Sequence, residues 1–193
     1  MILIALDVTN LTDARYFAAM GASMIGFDML GSDIETINAI IPWVGVKGFM
    51  LQYTQITPSE TCLEHSQKTG IKSLILSNEN YIQSMDIPDL EYLLMIDDPD
   101  IIADKPDIKA LLFTLHAARA DAQNGYRTIG EIKDKDVYIE VGPSFHPDIK
   151  MLEVAGVKGI FVRGGEEEKT GVKSFEELDE TLDYYMDKIA YDQ

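Results

Sequence analysis

Eight short apolar runs alternate with longer amphipathic stretches along the 193 residues of this chain. They are Ile2 to Leu6, Met24 to Phe27, Val46 to Leu51, Ser73 to Leu76, Tyr92 to Ile96, Ala110 to Thr114, Val137 to Val141 and Gly159 to Val162. The runs are continuous apolar segments rather than ones that alternate with polar residues, as expected of parallel strands covered on both faces. Strands of that kind with helices between them predict an α/β protein, a small (β/α)8 TIM barrel forming one domain over residues 1–193. A doubly wound open sheet is the rival. It usually needs fewer strands, and no Gly-x-Gly-x-x-Gly follows the first strand here.

The punctuation between the runs agrees. Gly21, Gly70 and Gly156 each close a helical stretch just before a strand and read as left-handed helix ends. Thr57 with Glu60, and Ser174 with Glu177, read as capping boxes, the first with Pro58 as the first helical residue. In the last helix Phe175, Leu178, Leu182, Tyr185 and Ile189 share one face. Helical patterning is weak at residues 80–85 and 99–103, where single turns are expected.

Charge narrows the partners. Asp and Glu number 33 against 16 Lys and Arg, a net −17. Such a surface repels nucleic acid and anionic membranes, so neither is expected as a partner. No apolar run approaches the roughly 20 residues that cross a bilayer. The start, Met-Ile-Leu-Ile-Ala-Leu-Asp, lacks the basic region of a signal peptide. The single cysteine, Cys62, suits a reducing cytoplasm and reads as a structural thiol on a helix. Oligomeric state is left open.

In a barrel of this kind chemistry is carried at the C-terminal strand ends. Those positions hold Asp7, Asp28, Gln52, Ser77, Asp97, Asp98, Thr114, His116, Glu140 and Arg163. Glu140 stands out, because it interrupts the apolar run Val137-Tyr-Ile-Glu-Val and burying it alone is costly. It is expected to point into the barrel mouth, with Arg163 on the neighbouring strand as its partner. Asp7, His116 and Glu140 are the candidate catalytic residues, with His146 in the adjacent loop, since together they could donate and accept a proton. No His-x-His or comparable spacing supports a metal site, and no cofactor is expected. The candidate ligand is a small molecule, with phosphate as one possible group on it. The loops after strands seven and eight are the usual phosphate site, which nominates Ser144, Arg163, Gly164 and Gly165. Pro143 has no N–H to give, and Glu166 to Glu168 would repel an anion.

Two stretches resemble a known family. Thr9-Asn-Leu-Thr-Asp-Ala-Arg, followed by Gly21-Ala-Ser-Met-Ile-Gly-Phe, is similar to the opening of phosphoribosylanthranilate isomerases, Thr-Asn-x-Glu-Asp-Ala then Gly-Ala-Asp-x-x-Gly-Phe. Gly165-Glu-Glu and Thr170-Gly-Val-Lys-Ser resemble that family's closing motifs. The likeness covers about the first 50 and last 60 residues, and the middle fits only in strand order. It implies a (β/α)8 barrel of tryptophan biosynthesis performing an Amadori rearrangement of a phosphoribosyl amine. It further implies a cysteine base closing strand one and an aspartate acid closing strand six. Those positions read here as Leu6 and Phe113, neither of which exchanges a proton. The family's arginine after strand two is missing from Met29-Leu-Gly-Ser-Asp, its strand-four Gln-Leu-His-Gly is Ile75-Leu-Ser-Asn, and its Ser-Gly-Gly loop is Gly142-Pro143-Ser144. Gly164, Gly165 and Gly125 remain as phosphate-loop residues.

Three readings follow. The chain is a divergent isomerase-like barrel that binds a small metabolite; or an enzyme of different acid–base or metal-assisted chemistry; or a non-catalytic binding barrel. Fold alone does not choose among them.

Overall fold

The computed structural model describes residues 1–77, 87–99, 107–164 and 175–189. Its strands are β1 (Ile2–Val8), β2 (Met24–Asp28), β3 (Gly48–Tyr53), β4 (Ser73–Ser77), β5 (Glu91–Ile96), β6 (Ile108–Phe113), β7 (Asp136–Glu140) and β8 (Gly159–Arg163). The α-helices among the described residues are α1 (Leu11–Ala19), α2 (Ile34–Ile40), α3 (Ser59–Thr69), α4 (Leu115–Gln123), α5 (Arg127–Glu131), α6 (Ile149–Ala155) and α7 (Glu176–Ile189). The strands pair in parallel in sequence order, and β8 closes on β1 through Ile2–Gly159 to Leu6–Arg163. No described helix is long and apolar enough to cross a membrane.

Strand periodicity sorts the apolar residues into two shells. Ile4, Leu6, Met50, Leu112, Tyr138 and Phe161 are among those that meet inside the barrel. Their neighbours Leu3, Ala5, Leu51, Leu111, Phe113 and Ile160 face outward, into the layer shared with the helices. That is why the runs are continuous: both faces of each strand are dry. Two glycines allow the barrel to close this tightly. A Cβ on Gly159 would lie 2.2 Å from the Ile2 carbonyl oxygen, and one on Gly26 would lie 2.7 Å from Leu6 Cδ2.

Gly21, Gly70 and Gly156 have φ of 84°, 75° and 87°, the left-handed values expected of helix ends. The start of α3 differs from its sequence reading. Pro58 is the cap and no side chain caps the helix, while the Thr57 hydroxyl donates to the Gln55 carbonyl at 2.9 Å. Pro58 holds an extended backbone (φ −58°, ψ 143°), which moves the first helical residue to Ser59. On α7, Leu182 and Tyr185 are fully buried, and the Tyr185 hydroxyl donates to the Pro147 carbonyl at 3.1 Å. Ser174, residues 80–85 and 100–103, and the Ile189 side chain lie outside the described residues.

Candidate functional site

The strand ends place a polar ring on top of the apolar interior. Arg163 ends β8 and reaches across the mouth. Its Nε donates to Glu140 Oε1 at 2.9 Å, its Nη1 to Asp7 Oδ2 at 3.1 Å and its Nη2 to the Met95 sulfur at 3.2 Å. The expected pairing of Glu140 with Arg163 is therefore present. Glu140 also accepts from the Leu115 N–H at 2.9 Å, which ties it to the first turn of α4. Burial works against the Arg163 cation, but Glu140 and Asp7 outweigh it and raise the guanidinium pKa above its ordinary value.

Asp7 reaches the ring through a backbone irregularity. The pairing of β1 with β2 shifts between Ala5 and Val8, and Asp7 has φ 56°. A bulge of this kind re-aims a side chain, and aspartate tolerates the left-handed region better than most residues. Gln52, fully buried on β3, locks the result. Its amide donates to Asp7 Oδ1 at 2.6 Å and its carbonyl accepts from the Asp7 N–H at 3.1 Å. The chain Gln52–Asp7–Arg163–Glu140–Leu115 N–H spans the mouth.

Strand six turns its last residue away from the mouth. Phe113 is fully buried in the outer shell with Ala117 and Ala118, so its side chain does not face the mouth. Ala110 and Leu112 point inward, and the next inward position is Thr114. Phe113 pairs with Ile139, so one register step further sets Thr114 beside Glu140. The Thr114 Oγ1 is buried and has no hydrogen-bond partner. Leu6, at the other catalytic position of the resemblance, points inward and is fully buried among the barrel-filling side chains.

The remaining candidates scatter. His116 is exposed on α4 and takes no part in the ring. His146 is also exposed, with Nε2 3.5 Å from Thr181 Oγ1 and its ring stacked on Tyr184. Asp28 accepts from the Leu30 and Gly31 N–H groups, both at 3.1 Å, and so shapes its own loop. Asp97 and Asp98 are exposed. No group of three or more His, Cys, Asp or Glu among the described residues converges on a metal position.

The phosphate loops hold fewer donors than the sequence reading assumed. The Gly164 N–H donates to the Leu6 carbonyl at 2.8 Å, extending the β8–β1 ladder. Gly142 and Phe145 bond each other across the β7 loop, at 3.3 and 2.8 Å. Gly165 lies outside the described residues. Gly125 follows α4, at the helix end remote from the mouth. Ser144 is held by Arg119 of α4, whose guanidinium also lies 5.7 Å from the Phe145 ring centre. Sequence reasoning passed over Arg119, since nothing in the order of residues joins it to Ser144.

Two hollows lie off the barrel axis. A groove of about 420 Å³ runs between α5 and α6 on the outer face, lined by Tyr126, Met151 and Val154. A smaller one of about 120 Å³, at the rim beyond β3, is lined by Tyr53, Thr57 and His65. The larger groove is apolar and far from the polar ring, so room alone does not mark the site.

A closed parallel barrel with polar side chains gathered at its strand ends belongs to the (β/α)8 class. Within it the molecule is phosphoribosylanthranilate isomerase-like in fold. It superposes on the phosphoribosylanthranilate isomerase of Thermus thermophilus with a TM-score of 0.67 at 19% identity, covering 97% of this chain and 100% of that one. A protein named TrpF from Jonesia denitrificans gives 0.69 at 15% identity over 95% and 96%. Orotidine 5'-phosphate decarboxylase from Pyrococcus horikoshii, a different enzyme, still gives 0.60 at 15% identity over 95% and 98%. Likeness at this identity establishes the fold. No protein-family model matches the chain, and no curated protein matches it in sequence.

Proposed function

We propose that this chain is a divergent phosphoribosylanthranilate isomerase-like barrel whose mouth holds a small metabolite and which does not perform the isomerisation. One observation carries this reading. The positions at the ends of β1 and β6, where the resemblance implies a base and an acid, hold Leu6 and Phe113, and Thr114 is the next residue along. Neither leucine nor phenylalanine exchanges a proton, and the hydroxyl of the neighbouring Thr114 does so poorly at neutral pH. Asp7, the carboxylate next in line, is already bound by Gln52 and Arg163.

The phosphate affinity that the resemblance implies is expected to be weak. An anion at the β7 and β8 loops would meet Ser144, Arg163 and Gly164, with Arg119 beside them. Arg163 is flanked by two carboxylates, and the Gly164 N–H is engaged.

Steady-state turnover of phosphoribosylanthranilate tests the first claim, with growth of an isomerase-deficient strain as its cellular counterpart. Each missing acid or base group contributes about 10² to 10⁴ in rate, so turnover at least about 10⁴-fold below an ordinary isomerase is expected. Turnover at ordinary family rates, or growth of the strain, would show that other residues supply both roles.

A further inference from the structure

The polar ring has a charge order that a phosphate does not match. Asp7 and Glu140 flank Arg163, giving minus, plus, minus across the mouth and a net charge of −1 for the three. All three are reachable, with side-chain exposures of 27% for Asp7, 14% for Glu140 and 29% for Arg163. A multiply charged anion arriving at Arg163 would be repelled from both sides.

Two donors in the ring are poorly used. Arg163 Nη2 is aimed at the Met95 thioether, a weak acceptor compared with an oxygen. The Thr114 hydroxyl, on a residue only 6% exposed, has no partner among the described residues. Buried polar groups normally find partners, and a buried hydroxyl without one is free to bond a ligand atom. Glu140 and Asp7 each keep lone pairs beyond the bonds they accept.

We infer that the mouth is a recognition site for a free α-amino acid. Its carboxylate lies on Arg163 Nη2 and the Thr114 hydroxyl, and its ammonium lies on Glu140 and Asp7. In an α-amino acid the opposite charges share one carbon, so a single small molecule presents both signs at the spacing of an adjacent ion pair. The ligand adds no net charge to the acidic mouth, and every underused group gains a partner. This rests on the proposed role of the mouth as a metabolite site and names the class of metabolite.

Calorimetric titration of the full chain with each of the twenty common L-amino acids, acetate, ethylamine and inorganic phosphate tests it. At least one amino acid is expected to bind ten or more times tighter than any of the three simple ions, on the order of one to two kept hydrogen-bonded charges. Glu140→Gln is expected to weaken that amino acid about tenfold while strengthening phosphate, because one repelling carboxylate is gone. Thr114→Val, which keeps the shape, is expected to weaken the amino acid several-fold and leave phosphate unchanged. Thermal melting of both variants confirms that they are folded. Failure of all twenty amino acids to bind, phosphate as the tightest probe, or amino-acid affinity indifferent to both substitutions would each overturn the inference. Isomerase turnover is measured separately, so either idea can fail without the other.

Discussion

Leu112 and Thr114 are two residues apart on the same face of one strand, yet they belong to regions built on different rules. At the level of Leu112 the barrel interior is a dry plug with Ile4, Leu6, Met50 and Phe161, all essentially inaccessible. At the level of Thr114 the same strands carry Gln52, Glu140 and Arg163, with Asp7 turned in by a bulge. The lower region gains by excluding water and by shape alone. The upper region holds charges whose desolvation must be offset by partners, and it leaves one hydroxyl with none. A polypeptide selected only for stability would have continued the plug upward. The mouth departs from that pattern in the way functional sites usually do.

The largest effect expected from this contrast separates these two neighbours. Leu112→Ala should cost about 2–5 kcal/mol, the transfer term plus the cavity left among rigid strands. Thr114→Val should cost less than about 1 kcal/mol or stabilise, because no hydrogen bond is lost and an unsatisfied buried hydroxyl disappears. Urea unfolding of both variants measures the gap. Equal losses would mean that the Thr114 hydroxyl supports the fold and that the two levels are one core.

The lower region was legible in the sequence and much of the upper one was not. Continuous apolar runs located all eight strands to within about two residues, because burial on both faces removes the polar alternation. Glu140 was visible because one acid inside an apolar run has few places to go, and its arginine partner followed from strand adjacency. Gln52 carried the same signal more faintly and was only one of ten polar strand ends. The outward orientation of Phe113 was not legible, because matching letters to a motif ignores parity. A one-residue offset turns a side chain from the mouth to the helix layer. The bulge at Asp7 left no mark, since aspartate is common in either backbone region. The Gly164 N–H was unreadable for another reason: whether a glycine donates to a ligand or to the next strand depends on where the ladder stops.

That bulge gives the next largest effect. Asp7→Val puts a β-branched residue at φ 56°, where L-residues other than glycine, asparagine and aspartate are strained. It should cost about 1–2 kcal/mol more than Asp7→Asn, which tolerates the same backbone and keeps one of the two acceptor oxygens. Matched thermal melts decide it. If valine and asparagine behave alike, the backbone at residue 7 relaxes and the mouth is softer than the region beneath it.

Cys62 tests the outer shell in the same spirit. The thiol is fully buried on α3, and burial pushes its pKa up to about 11, with the Tyr53 hydrogen bond opposing this. Only the thiolate is a good nucleophile. Labelling by an aromatic disulfide reagent near neutral pH should therefore be limited by opening of the structure, at least about tenfold slower than in urea. Labelling as fast as that of the unfolded chain would mean that α3 opens readily.

The smallest expected effect lies at the rim, beside the hollow beyond β3. His65 projects from α3 with Nδ1 3.1 Å from the Tyr53 hydroxyl and its ring lying against the tyrosine ring. Burial disfavours the imidazolium, Glu64 opposes that shift and Lys68 adds to it, so the pKa falls below the ordinary 6.5. The folded chain then binds this proton less readily than the unfolded chain, and proton uptake favours unfolding. The contribution is complete above the unfolded value near 6.5 and is lost as the pH falls through the lower folded value. Urea midpoints should therefore hold steady down to about pH 7 and decline towards about pH 5.5, with His65→Gln flattening the decline. His65 is only partly buried at the rim, so the slope should be shallow compared with the differences expected at Leu112 and Asp7. A His65→Gln curve that declines in parallel with the wild type would show that His65 is not the group behind the decline.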